Sequence, residues 1–257
     1  MKKSDNPSSL NYFSSPLDVK SVEELRKEFS WEEISIQIPR LPRGWYELVG
    51  LEKKDRIDLC REYWLSILGL KDDLALGICR FFALLESIDV YVYRTSKGPY
   101  SVKMLYTFVD GRCSFQGSPP LSETTNLCLP ILGDDHYHRF FTIHNGFGKW
   151  EDGGIFSYRA LAKVQHKLRN YLIHMNKISP EEDCSSLGVF PFYGYEEPCA
   201  YQCFLVDPEV RRDFPSLNLL ISETSLFKRD LENIEILCSD SRYYPSFITW
   251  FENYLNE

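Results

Sequence analysis

At 257 residues, 44% hydrophobic and 15% aromatic, the chain has enough apolar material for a sizeable core in one large domain or two small ones. Thirty-seven acidic residues against 29 basic leave a net charge of -8, which disfavours nucleic acid and favours a basic protein partner. Apolar runs such as Leu217 to Ile221 fall far short of the roughly 20 residues a bilayer crossing needs, no apolar stretch follows Lys2-Lys3, and the eight cysteines contain no C-x-x-C pair. The expectation is a cytoplasmic protein with reduced thiols and no membrane association.

Residues 1–17, rich in Ser, Asn and Pro, are expected to form a disordered tail, whose composition also suits an export signal. From Ser21, a Ser-x-x-Glu box with Glu24 opens a helix holding Val22, Leu25 and Phe29, which Ile36-Gln37-Ile38-Pro39 ends. Ile57, Cys60, Trp64 and Leu68 keep helical spacing up to Gly69. Leu74, Ile78, Phe81, Phe82 and Leu85 do the same in the next helix.

The period then changes to two. Val90, Val92, Val102, Met104, Tyr106 and Phe108 alternate with their neighbours, so strands are expected near 89–94, 101–109 and 112–116, with Asp110-Gly111 suiting a type I′ hairpin turn. Gly117 to Asn126, with Pro119-Pro120, reads as a loop.

Tyr137, Phe140, Phe141 and His144 share one helical face behind a cap at Asp134 or Asp135, and Asn145-Gly146 supplies a left-handed stop. Gly148, Gly153 and Gly154 follow in a tight, charged turn. A further helix starts at Ser157, with Phe156 stapled to Leu161 and an apolar stripe of Leu161, Val164, Leu168, Leu172 and Met175. Ser179-Pro180-Glu181-Glu182 reads as a short helix start. Strands are expected near 188–193, 200–206, 217–222 and 233–238, then a closing helix over Phe247 to Leu255.

This second half resembles the SUKH superfamily, in which an aromatic-rich helix runs into Asn-Gly-x-Gly before a strand and another helix. The resemblance rests on Phe140, Phe141, Asn145, Gly146 and Gly148 and covers roughly residues 125–257. It implies a protein-binding domain that neutralises a toxin, as bacterial members do, or scaffolds a regulatory assembly, as fungal members do. The expected fold is α+β, a largely antiparallel sheet flanked by helices. One domain over 18–257 would join an N-terminal helical and β-meander part, 18–124, to the SUKH-like core, 125–257.

Sequence chemistry offers little to an enzyme. No phosphate loop, nucleophile elbow, zincin motif or dinucleotide fingerprint is present, and no cofactor is expected. Asp134, Asp135, His136 and His138 carry metal-ligand chemistry, but on a helix positions 136 and 138 point about 200° apart, so no metal site is expected. A cysteine/histidine hydrolase drawing on Cys199 or Cys203 with His144 stays as an alternative, as does an exported effector. The carboxylates Glu181, Glu182 and Asp183, or Glu196 and Glu197, serve helix dipoles and solvent better than catalysis. His166 and His174 read as surface residues, and His144 as a core histidine bonded to a helix-end carbonyl. Partner contact is expected from aromatic and acidic residues in turns: Phe147, Trp150, Asp152 and Tyr195.

Overall fold

The computed structural model describes residues 18–71, 75–94, 98–111, 114–121, 134–149, 153–174, 176, 179–181, 189–194, 200–205, 217–222, 243–244 and 246–256. Strand β1 (Asp18–Ser21) leads directly into α1 (Val22–Glu28), whose N-cap Ser21 accepts from the Glu23 amide. The expected single helix is two. Phe29 and Ser30 are extended, and Ser30 starts α2 (Trp31–Gln37) with a reciprocal capping box: its side chain accepts from the Glu33 amide while the Glu33 carboxylate accepts from the Ser30 amide. After Pro42 comes a short helix the sequence pattern does not announce, α3 (Arg43–Leu48). Helix α4 (Lys53–Leu68) ends at Gly69 in the left-handed conformation, as its stripe predicts, and α5 (Leu76–Ala83) follows.

Leu85, which fits the helical stripe of α5, instead opens β2 (Leu85–Arg94), paired antiparallel with β3 (Ser101–Phe108). At the end of β3 only Gly111 has positive φ, so the Asp110-Gly111 turn is not type I′. Next come β4 (Phe115–Gly117), α6 (Asp135–Phe140), β5 (Phe147–Lys149), β6 (Gly154–Ile155) and α7 (Tyr158–His174). The chain closes through β7 (Val189–Gly194), β8 (Ala200–Leu205), β9 (Leu217–Ser222), β10 (Tyr243–Tyr244) and α8 (Phe247–Asn256). Among the described residues these ten strands form one sheet in chain order, every neighbouring pair antiparallel, so the fold is α+β. The strand expected at 233–238 and most of the helix expected from Ser179 lie outside the described residues.

Each face of the sheet has its own cover. On β8, Phe204 points into the main core beside Phe192, 4.4 Å between ring centroids, whereas Tyr201 and Cys203 pack with Phe156 beneath Val164, Leu168 and Leu172 of α7. The main core is built from rings. Trp64 of α4 lies 5.2–5.9 Å, centroid to centroid, from Phe81, Phe82, Tyr106, Phe140, His144, Phe147 and Phe251, so one side chain joins α4, α5, β3, α6, β5 and α8. Pairs of this kind add about 0.5–1.5 kcal/mol each beyond their burial.

The N-terminal helices are held by a charge. Arg56 of α4, 4% exposed, reaches Glu23 of α1 at 2.6 Å, Asp89 of β2 at 3.1 Å, and the carbonyls of Val49 and Leu51 at 2.8 Å each. Ser87 donates to the second Asp89 oxygen. The guanidinium beside Glu23 lowers that carboxyl below its usual value.

Candidate functional site

The 145–146 reversal belongs to the framework. Helix α6 closes earlier than its pattern suggests, with C-cap Phe141, and tightens through Ile143. Gly146, at φ +100°, therefore does not cap the helix; it turns the chain into β5, where a side-chain-bearing residue would be strained. Asn145 caps a different helix. Its side-chain oxygen accepts from the Tyr158 amide at 2.7 Å, the role expected of Ser157 at the start of α7. Gly148 is fixed by proximity, since a Cβ there would sit 2.4 Å from the Gly153 carbonyl oxygen across the hairpin. Asp134 caps α6 at the Tyr137 amide and also accepts from the Phe247 amide of α8, so one buried carboxylate fixes two helix starts.

Phe140 and Phe141 are fully buried, as a fold-building role requires. Phe147 is also core, which overturns its assignment as a partner contact. It is 3% exposed, stacks on Phe115 and His144, and points inward because β5 lies in mid-sheet between β4 and β6. Trp150, Asp152 and Tyr195 lie outside the described residues, as does Cys199.

Among the described residues, the most apolar and enclosed hollow lies between α3, α4, β3 and the turn after α6. It is a cavity of about 340 Å³, walled by Pro42, Trp45 and Leu48 on one side and by Leu59, Cys60, Tyr63 and Trp64 of α4 on another. Met104, Tyr106 and His144 close the floor, with Pro120 and Ile143 beside them. At the mouth, Leu59 and Tyr63 are 48% and 47% exposed, and the Tyr63 hydroxyl donates to the Thr142 carbonyl at 3.2 Å, which fixes its ring.

The polar groups on the floor satisfy one another. His144 Nδ1–H donates to the Ser118 carbonyl at 3.1 Å, a loop carbonyl rather than a helix end, which leaves Nε2 to accept the Tyr106 hydroxyl proton at 2.6 Å. Burial pushes the imidazole down to about 3 and the Cys60 thiol up to about 12, and it raises Tyr106 well above its ordinary value. All three groups are thus neutral near pH 7. A nucleophilic pair needs a lowered thiol and a basic imidazole, and this pocket sets both the other way. Half-buried Lys103, on the far side of His144, is lowered by burial to about 8 and donates to Ser118 Oγ at 2.8 Å.

The sequence-level pairing of Cys203 with His144 does not form, since Cys203 lies under α7 in a separate cluster. Cys60, on a helix stripe that reads as ordinary core, is the cysteine that shares the pocket. Among the described residues no three His, Cys, Asp or Glu side chains gather as metal ligands; His136 meets Asp134 at 3.8 Å. No described helix is long and apolar enough to cross a membrane. No family model matches the chain, nor does any curated protein or solved structure.

Proposed function

We propose that the chain is a non-enzymatic, cytoplasmic protein-binding domain, acting by occluding or scaffolding a protein partner in the manner the SUKH resemblance implies, as an immunity or a regulatory protein. The observation that supports it best is the combination in the α3–α4 cavity. Its titratable floor is neutral and internally satisfied, while Leu59 and Tyr63 stand exposed at the mouth. Chemistry needs groups ready to exchange protons; recognition needs apolar surface held in a fixed shape. The exposed Leu59 and Tyr63 over a packed floor support the second.

Labelling of the native protein with a thiol probe, read cysteine by cysteine, tests the enzyme alternative. The expected result is slow reaction throughout, with Cys60 modified only on unfolding; one fast, low-pKa cysteine would favour the hydrolase. Crosslinking in the native host followed by mass spectrometry is expected to give a protein whose links map to α3 and α4. Recovery of no protein partner would sink the binding reading.

A further inference from the structure

The outer edge of α4 carries a charge pattern that specifies what enters the cavity beside it. At 100° per residue, Glu52, Asp55, Leu59, Glu62, Tyr63 and Ser66 fall within about 100° of the helix circumference, and all are exposed. This arc holds three carboxylates and no cation. The helix's own cations are elsewhere: Arg56 is buried in its ion cluster, and Lys53, Lys54 and Arg61 line a different hollow against α5 and β2. On α3, Arg43 is paired with Glu47 at 2.8 Å and offers no free positive charge to the rim.

From these observations the geometry points to an anchor site for a basic peptide segment of another protein: an apolar side chain enters the cavity between Trp45, Met104 and Tyr63, and flanking lysines or arginines lie along Glu52, Asp55 and Glu62. This deepens the protein-binding reading and rests on it. A volume of about 340 Å³ is at the low end for small-molecule pockets and admits a side chain of leucine to phenylalanine size. Between Glu52 and Glu62 the helix rises roughly 15 Å, too far for a single small cation to engage both and a natural span for several peptide residues. A polyanion or an anionic membrane is repelled by the same carboxylates. A second copy of this chain is a poor occupant. Its α7 is basic and free of acids, yet contributes none of the large exposed apolar side chains among the described residues, so it brings charge without an anchor.

The test is a titration of the full chain with synthetic basic peptides, each carrying one Leu, Met or Phe among Lys, Arg and Ala, followed by tryptophan fluorescence and calorimetry. Two controls replace the apolar residue by Ala or every cation by Glu. Binding is expected for the apolar-basic peptides, weaker by roughly tenfold without the anchor, weakened by added salt, and absent for the acidic series. Two variants act from the protein side without touching the core. Gly44→Phe plugs the cavity at a position where a Cβ meets nothing within 4 Å, and E52Q/D55N/E62Q removes exposed charge. The first should abolish peptide binding and the second cut it about tenfold while reducing its salt dependence. Undiminished binding by the plugged variant, equal binding of the acidic peptides, or no binding by any peptide in the series would overturn the anchor site. If the crosslinked partner is retained by Gly44→Phe, the anchor site falls and protein binding stands; if no partner is recovered from the native host, the broader reading falls too.

Discussion

Gly117→Ala should be among the most damaging single-methyl additions to this fold. Gly117 sits in β4 opposite Met104 and Phe147, and a Cβ built there lies 2.2 Å from His144 Nδ1, 2.3 Å from Cε1 and 2.5 Å from Cγ. To reach ordinary contact the imidazole must retreat by about 1 Å. It has nowhere to go. Phe147 stacks on it with centroids 5.4 Å apart, Trp64 and Phe140 abut its edges, and its two nitrogens are tied to Tyr106 and Ser118. Breaking both buried hydrogen bonds costs about 1–3 kcal/mol each, and overpacking about 1–3 kcal/mol, so a loss on the order of 3–5 kcal/mol is expected after partial relaxation. Urea unfolding followed by tryptophan fluorescence measures it, as a lower midpoint with an unchanged slope. The decisive arm is the double variant. His144→Ala is itself destabilising, but it vacates the space the methyl needs, so Gly117→Ala in that background should cost less than about 1 kcal/mol, a coupling of at least about 2 kcal/mol. An equal cost in both backgrounds would refute the claim that the glycine exists to admit the imidazole.

The low value of His144 makes stability depend on pH. The unfolded chain takes up a proton near 6.5 that the native state refuses until about 3, so the contribution is complete above pH 6.5 and declines by about 1.4 kcal/mol per pH unit below it. Between pH 6.5 and 5, where few carboxylates titrate, the wild type should lose stability more steeply than His144→Asn, by about this slope, in chemical denaturation, His138 contributing to both. Arg56→Ala should cost about 3–5 kcal/mol by leaving Asp89 and two carbonyls without their cation, and Arg56→Met distinctly less, because apolar packing returns part of the loss; thermal unfolding ranks the two. Asn145→Ala should lose about 1 kcal/mol, with hydrogen exchange accelerated at the first turn of α7 and unchanged in α4.

Long periodic elements were legible from residues alone because burial on one face dictates their spacing. The α4 stripe up to Gly69, the alternation in β2 and β3, and the apolar faces of α7 and α8 all follow from it. Short elements carry too few positions for a period. Helix α3 starts after Pro42 without a side-chain cap and contains Gly44, so nothing local marks it. Ser30 and Glu33 do spell a capping box, but Val22, Leu25, Phe29 and Ile36 fit one continuous stripe and conceal the break. Phe147 was misplaced for a related reason: an aromatic between two glycines looks like a turn tip until β4 and β6 pair on either side of it. The cavity was invisible because Cys60, Tyr106 and His144 come from three elements, and their meeting is a property of packing.

Helix α4 ties these observations together through its separate faces. Arg56 fixes its beginning to α1 and β2, Trp64 fixes its second half among seven rings, and Tyr63 is held to the turn after α6. With both halves anchored, the edge carrying Leu59 cannot shift without disturbing the core, so the mouth of the cavity is shaped before any partner arrives. Preformed surface spends little ordering entropy on binding. The same packing buries His144 and Cys60, and burial lowers the imidazole and raises the thiol, so both groups are neutral near pH 7. If the domain binds a protein as proposed, the ring packing that fixes α4 also holds the mouth in shape for it.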